Sequence, residues 1–280
     1  MNMKRNKEIE FPDCWEELQP AEWIHLLKLR QELMTRRGVS LLDVKRAWCA
    51  FVLKRRGYRF GHRHHTEDML LVDRLAGTLD WMWLVDDEEG CIALRFNTTQ
   101  NLLPEWGGLR GPMSHGGDLT FGEFRAATAA MNLYTQDHLD SDLLALVAVL
   151  YRRPDGQGKR TAFDTDDLPR LMKAAQGMPG WLQWGIYAWF AHFCEYLLTG
   201  EFVIDGQTVT FAPVFGRRDK DGPRPSGQDL GLNSILYTVA ESGVFGTAAD
   251  TDRAPLLRVL LKLLDDKQRV DELERRWKKK

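Results

Sequence analysis

The segment Leu143–Tyr151, LLALVAVLY, restricts the possible folds more than any other part of the chain. It is apolar on nearly every side of a helix, and a soluble protein tolerates such a helix only when most of its surface is buried. A second helix precedes it, because Thr120 is followed three residues later by Glu123 in the pattern of a capping box. We therefore predict two adjacent helices, the later one from about Asp142, and place the core of the protein at Leu143–Tyr151.

Further helices are predicted before residue 80. Pro20 stands in a first-turn position, Ser40 with Asp43 starts the next helix, and Thr66 opens a third. Their apolar faces repeat at helical spacing, as in Leu41, Val44, Trp48, Phe51 and Val52. These residues predict a small N-terminal helical unit.

Two β-hairpins interrupt the helical pattern. From Trp81, the runs WMWLV and CIALRF flank an acidic loop, DDEEG. Farther along, FVI and TVTF flank the pair Asp205-Gly206, which favours the positive φ angles of a type I′ turn. The segment that follows, at 215–231, is rich in glycine, proline and charge and is predicted to be a long exposed loop.

The segment Gly180–Gly200 is the most aromatic part of the chain. A membrane span needs about 20 predominantly apolar residues. Gln183, His192 and Glu195 interrupt this segment. We therefore predict a buried helix and no membrane association.

The last helix, which begins near Pro255, changes character along its length. It is apolar through Leu264, whereas residues 265–280 keep only a sparse apolar seam on a charged, finally basic segment. We expect this second half to project, and we expect Trp106, in a polar loop, to be exposed as well. The candidate partner-binding residues are therefore Val270, Leu273, Trp277 and Trp106.

Together these elements predict a mainly α, multi-helix globular protein with two small β-hairpins and a projecting C-terminal helix. A chain of 280 residues can bury a substantial core. We expect a single helical domain, with an N-terminal helical unit at about 13–80, a main helical core at about 81–264 and a helical tail at 265–280.

Composition bears on the partner, the redox state of the cysteines and the cellular location of the protein. The net charge of -2 gives no support to nucleic acid as a partner. The four cysteines lie far apart without any CxxC pair, and the N-terminus lacks the apolar segment of a secretory signal. We therefore expect reduced thiols and a cytoplasmic location.

Two polar clusters could carry chemistry. The basic, histidine-rich run at 59–65, RFGHRHH, contains the cluster His62–His65, but a metal site would need further ligands at suitable spacing. We interpret it as a solvated basic loop, with a basic contact patch as the alternative. His192 and Glu195 lie three residues apart beside Cys194, and we interpret them as a buried histidine bonded to a carboxylate rather than as a catalytic pair.

The sequence lacks the motifs GxSxG, GxxxxGK[ST] and HExxH, and it has no dinucleotide-binding glycine fingerprint placed between a strand and a helix. We accordingly predict no enzymatic activity, no metal and no cofactor.

A resemblance supplies the functional hypothesis. Between Phe96 and Pro154 the chain carries NTTQNLLP, RGP, DLTFGEF, an aromatic helix and LVAVLYRRP in that order. This order resembles tail-region proteins of Bacteroidetes-type phages and prophages that look like tail assembly chaperones. The opening FPDCWEELQPAEWIHLL is also similar, and the resemblance covers roughly the first half of the chain.

The resemblance implies a non-enzymatic assembly role in the bacterial cytoplasm, with a tape-measure protein or another tail protein as the partner. The chaperone would cover apolar helical stripes of that partner until tube subunits replace it. A tail or neck component of the virion is the first alternative, and an enzyme whose site is built from scattered residues is the second. The sequence leaves the oligomeric state open.

Overall fold

A computed structural model describes residues 9–61, 64–86, 88, 90–204, 206–215 and 232–278. Within these ranges the protein is mainly α, as predicted, with eleven α-helices and three separate two-stranded antiparallel sheets. The helices are α1 (Pro20–Thr35), α2 (Leu41–Arg55), α3 (His65–Ala76), α4 (Phe121–Asp137), α5 (Asp140–Leu150), α6 (Leu168–Ala175), α7 (Gly180–Thr199), α8 (Ala212–Phe215), α9 (Leu232–Glu241), α10 (Ala248–Arg253) and α11 (Leu256–Lys278). The strands are β1 (Trp83–Asp86), β2 (Cys91–Leu94), β3 (Glu105–Trp106), β4 (Leu109–Arg110), β5 (Phe202–Ile204) and β6 (Gln207–Val209).

The chain forms two compact units. Unit 1 comprises Met1–Leu103 and Pro179–Trp189, and unit 2 comprises Pro104–Met178 and Phe190–Lys280. The single-domain organisation expected from the sequence stays a prediction.

In unit 1, the helix starts follow local sequence signals. Pro20 is the first residue of α1. The Asp43 N–H donates to Ser40 Oγ at 3.2 Å, and the Ser40 N–H donates to Asp43 Oδ2 at 3.0 Å. This capping box confirms the predicted start of α2 at Ser40 and Asp43, whereas α3 begins at His65, one residue before the predicted start.

Aromatic side chains fill the interior of unit 1. The Trp15 ring lies 5.5 Å from the Trp23 ring and 5.1 Å from the Phe96 ring, measured between centroids. The Trp15 indole N–H donates to the Arg95 carbonyl at 3.0 Å. These rings therefore bury a large apolar area while the polar indole N–H of Trp15 keeps a partner.

In the part of the chain that the structure describes, three hairpins form instead of the predicted two. The pairs β1–β2 and β5–β6 confirm the predicted hairpins, each as a sheet of its own. The additional pair β3–β4 turns at Gly107 and Gly108, whose φ angles of 56° and 78° suit glycine. Gly206 has a φ of 77°, whereas Asp205 and the predicted loop after Phe215 lie outside the described residues.

In unit 2, helix α5 is the predicted core. Leu146, Val147 and Leu150 are fully buried, and α5 begins at Asp140, two residues earlier than expected. The capping box at the start of α4 is confirmed, because the Glu123 N–H donates to Thr120 Oγ1 at 3.2 Å. The backbone next to it is also fixed, since the Leu256 N–H donates to the Leu119 carbonyl at 2.8 Å.

Helix α7 is continuous, and its first ten residues belong to unit 1 while its last ten belong to unit 2. Phe190 and Phe193 are buried, as predicted for this aromatic helix. None of the helices in the described ranges is long and apolar enough to cross a membrane.

Candidate functional site

The C-terminal part of α11 exposes the predicted apolar seam, which consists of Val270, Leu273 and Trp277. In the first part of the helix Leu256, Val259, Leu260 and Leu264 are buried, whereas no described residue from Asp265 onward is buried. Val270 is 48% exposed, Leu273 is 55% exposed and Trp277 is 81% exposed. Since these residues are spaced i, i+3 and i+7, they share one face within an arc of about 60°.

Ion pairs along this part of α11 connect residues one helical turn apart. Lys262 pairs with Asp266, Lys267 Nζ lies 2.9 Å from Asp271 Oδ1, and Arg269 Nη2 lies 2.8 Å from Asp265 Oδ2. Such i,i+4 pairs stabilise an isolated helix by a few tenths of a kcal/mol each. They support the helical conformation of a segment that has little buried surface.

Trp106 does not behave as predicted. It lies on strand β3 and is half-buried rather than exposed, so the prediction of an exposed position in a polar loop was wrong. The reason is the glycine pair that follows it, because Gly107 and Gly108 allow the chain to reverse and pair Trp106 with Leu109.

The two histidine clusters give little support for a catalytic site. In the cluster His62–His65, His62 and Arg63 lie outside the described residues, and His64 Nδ1 lies 2.9 Å from Glu67 Oε2 at the start of α3. On α7, His192 Nδ1 lies 3.7 Å from Glu195 Oε2. Burial raises the pKa of the neighbouring Cys194 thiol to about 12, so this thiol is not ionised at neutral pH and is a poor nucleophile.

Within the described ranges one group of side chains brings metal-ligating atoms together. The ligand atoms of Asp13, Cys14 and Glu17 lie within 4.8 Å of one another. The Glu17 carboxylate already accepts a hydrogen bond from the Asp13 N–H at 3.1 Å, and burial raises the pKa of the Cys14 thiol. Because metal ions bind the thiolate, this arrangement does not favour a metal.

A buried ion cluster of unit 2, which the sequence analysis missed, consists of Glu123, Arg152 and Arg160. Glu123 projects from the first turn of α4, and its carboxylate accepts from Arg152 Nη2 and, at 3.2 Å, from Arg160 Nη2. The side chains of Glu123 and Arg152 are only 2% and 1% exposed. One carboxylate therefore serves two buried guanidinium groups.

Every guanidinium nitrogen in this cluster donates to a protein oxygen. Arg152 donates from Nε to the Thr161 carbonyl at 2.8 Å and from Nη1 to the Val149 carbonyl. Arg160 donates from Nε to Asp118 Oδ2 at 3.0 Å and from Nη1 to the Leu150 carbonyl at 3.1 Å. Burial lowers the pKa of Arg152, and the nearby Glu123 carboxylate opposes that change.

A cavity of about 830 Å³ lies beside this cluster, entirely within unit 2. We call it the arginine cavity. Its walls come from the segment after β4, the first turn of α4, residues 158–165 and helix α10. This volume is in the range that accommodates a small-molecule ligand.

One signal in the sequence could have indicated the cluster. Arg152 directly follows the apolar helix at Leu143–Tyr151, and a charged side chain beside a fully buried helix needs an opposite charge. The sequence does not show which acid supplies that charge.

No known protein family, curated protein or solved structure matched this chain.

Proposed function

We propose that the chain is a tail assembly chaperone-like protein of a phage or prophage, which binds apolar helical segments of a tape-measure protein. The observation that carries the proposal is the apolar seam of Val270, Leu273 and Trp277 on the exposed part of α11. The resemblance of the motifs between Phe96 and Pro154 to tail-region proteins supports the choice of partner.

The seam has the chemistry of a helix-docking surface. Binding an apolar helix would bury the large side chains that now face water, at about 25 cal/mol per Å² of apolar surface removed from water. Tryptophan is enriched among residues that dominate binding energy, and Trp277 is 81% exposed. Because the segment is already helical, little of the binding energy is spent on ordering it.

Charge at the end of α11 further specifies the partner. Arg275, Arg276 and Lys278 lie in the last turn of the helix. An apolar partner helix with acidic residues beside its apolar stripe would complement both the seam and this basic end. Three anchoring side chains make a small interface, which suits a chaperone that tube subunits must displace in the bacterial cytoplasm.

The proposed role is non-enzymatic. The most buried charged groups of unit 2, Glu123, Arg152 and Arg160, are already bonded to protein atoms, and such saturation is typical of a structural cluster. The Cys194 thiol beside His192 has a pKa of about 12 and does not supply a thiolate.

Co-purification with the tape-measure protein of the same genome tests the proposal. The variants are a deletion of residues 265–280 and the double substitution Leu273→Gln with Trp277→Gln. The matched control is Glu272→Gln, because Glu272 lies on the opposite side of the same helix. We expect both seam variants to lose co-purification and the control to retain it.

Stability separates loss of binding from loss of folding. Deleting residues 265–280 should leave the melting temperature nearly unchanged, since no described residue of this segment is buried. Co-purification retained by the deleted protein would remove the tail from the mechanism. Failure of the full chain to bind would contradict the chaperone hypothesis itself.

Purified phage particles distinguish the proposal from the structural alternative. A chaperone should be absent from mature particles, because tube subunits replace it during assembly. A stoichiometric amount of this chain in particles would instead identify it as a tail or neck component.

A further inference from the structure

The charges of the arginine cavity do not cancel. Five basic and four acidic side chains line it. Two of the basic groups, Arg152 and Arg160, bond to the carboxylates of Glu123 and Asp118. A third carboxylate, that of Asp252, forms a bidentate pair with Arg125, which lies outside the lining.

Once these pairs are set aside, three cations and one carboxylate remain around the cavity, Arg110, Lys159, Arg253 and Asp164. The Asp164 carboxylate accepts from the Asp166 N–H at 3.0 Å and thereby caps a short helical turn. The lining alone therefore carries a surplus of one positive charge, and counting Arg125 with Asp252 raises the surplus around the cavity to two.

Two acids outside the lining, Asp155 and Asp250, offset these two positive charges formally, so the site offers exposed cationic donors rather than a net positive charge. Asp155 precedes Lys159, but its carboxylate accepts from the backbone N–H groups of Gln157 and Lys159, at 2.8 Å and 2.9 Å. Asp250 precedes Arg253, but its carboxylate accepts from the Thr247 N–H at 3.0 Å and from the Thr247 hydroxyl at 2.7 Å. Their oxygen atoms are used to hold turns, whereas the Lys159 and Arg253 side chains are exposed.

Contacts around Gly158 fix the guanidinium of Arg110 and the main chain at Lys159. Arg110 donates from Nη1 to the Gly158 carbonyl, and Gly158 has a φ of 75°. Lys159 follows Gly158 directly, at the end of the turn that Asp155 holds. The Arg110 guanidinium is therefore pre-positioned and loses less entropy when an anion binds, whereas the Lys159 side chain itself is exposed.

The cavity also has an apolar side. Phe163 lies in the wall beneath Arg152, whose guanidinium is 5.7 Å from the centre of the ring. Met113, at the edge, is 63% exposed. The lining therefore suits a molecule that carries both a multiply charged anionic group and an apolar group.

From this arrangement we propose that the arginine cavity binds a small phosphate-bearing molecule with an apolar moiety. Its phosphate groups accept from Lys159 and Arg253, and its apolar part packs against Phe163 and Met113. The buried cluster does not bind the ligand in this proposal, because Glu123 and Asp118 neutralise its two arginines. It holds the floor of the cavity in shape and keeps the Glu123 carboxylate from repelling the anion.

Isothermal titration calorimetry on the full chain, with ADP as the probe, tests this inference. Adenosine, which lacks phosphate, and pyrophosphate, which lacks the apolar moiety, are the comparison ligands. The test variants are Lys159→Gln and Arg253→Gln, and the matched control is Lys173→Gln, an exposed lysine of unit 2 outside the lining. Circular dichroism checks that each variant is folded.

We expect one ADP per chain, weaker binding of pyrophosphate and no binding of adenosine. Each test variant should bind ADP about tenfold more weakly, the effect of losing one charge-assisted contact, while Lys173→Gln should bind normally. No ADP binding at millimolar concentration would overturn the inference, and so would an equal loss in all three variants. Equal affinity for pyrophosphate and ADP would refute the apolar contact.

The deletion of residues 265–280 keeps this test independent of the proposed function. None of the deleted residues lines the cavity, so the deleted protein should bind ADP as the full chain does.

Discussion

Two glutamates, Glu22 in unit 1 and Glu123 in unit 2, occupy the same position in the first turn of α1 and of α4. Each carboxylate accepts a hydrogen bond from the backbone N–H three residues earlier, at 2.9 Å in both helices. Each is also the anion of a buried ion pair. In both units the glutamate therefore caps its helix and pairs with a buried arginine.

The two pairs differ in their surroundings. Among the described residues, Glu22 pairs only with Arg56. The Arg56 side chain is 14% exposed and also donates to the carbonyls of Glu10 and Glu17. The hydrogen bond to Glu22 raises the pKa of Arg56, whereas burial lowers the pKa of Arg152. We infer that the unfolding free energy lost with the carboxylate depends on how deeply the remaining arginine is buried.

The largest effect is expected for Glu123→Gln. Glutamine preserves the shape of the side chain and can still cap α4, but it leaves Arg152 and Arg160 without the carboxylate they share. An uncompensated buried charge costs about 3–5 kcal/mol of unfolding free energy. Urea denaturation followed by circular dichroism measures this loss.

Tryptophan fluorescence, recorded in the same urea series, provides the internal control because it follows the unfolding of the unit that does not contain Glu123. Unit 2 contains only Trp106 and Trp277 of the ten tryptophans, so fluorescence reports chiefly on unit 1. A loss below about 1 kcal/mol by circular dichroism would mean that the buried arginines do not depend on Glu123.

The substitution Leu146→Ala compares this electrostatic loss with an apolar one in the same unit. Leu146 is fully buried at the centre of α5. Emptying such a position costs about 2–5 kcal/mol. The same urea series measures it, and a loss below about half a kcal/mol would show that α5 is not core.

Glu22→Gln should cost less than Glu123→Gln, about 1–3 kcal/mol. Arg56 would keep its bonds to the carbonyls of Glu10 and Glu17, and its partly exposed side chain can be hydrated. Fluorescence-detected urea unfolding is the suitable probe, because Trp15, Trp23 and Trp48 are buried in unit 1. Equal losses of unfolding free energy in Glu22→Gln and Glu123→Gln would show that the exposure of the arginine does not set the cost.

The smallest effect is expected where a capping acid is exposed. The hydrogen bond from the Ser40 hydroxyl lowers the pKa of Asp43 below 3.8, so its stabilisation is present above that value and is lost as the pH falls through the lower, folded-state pKa. We expect Asp43→Asn to be less stable than the parent chain at pH 7, and the difference to shrink towards about pH 3.

Asp250→Asn should behave in the same way in unit 2, since Thr247 lowers the pKa of Asp250 by the same contact. Urea midpoints across this pH range measure both variants. A difference that is constant with pH would show that the charge of the cap has no role.

Much of the fold could be predicted because its signals are local. The capping boxes at Ser40 and Thr120 use groups three residues apart, and the core at Leu143–Tyr151 follows from composition alone. The apolar seam of α11 was also predictable, since the charged residues around Val270, Leu273 and Trp277 leave too little apolar surface to bury that segment. The hairpin at Gly107 and Gly108 was missed because strands of two residues carry almost no alternating pattern.

The arginine cavity and its ion cluster could not be predicted in this way. Arg152 and Arg160 are 29 and 37 residues from Glu123, and Arg56 is 34 residues from Glu22. Nothing in the sequence near any of these arginines shows which acid it will meet. Which acid pairs with each arginine depends on how the helices pack, because a specific carboxylate is needed only where burial removes the water that would otherwise solvate the arginine.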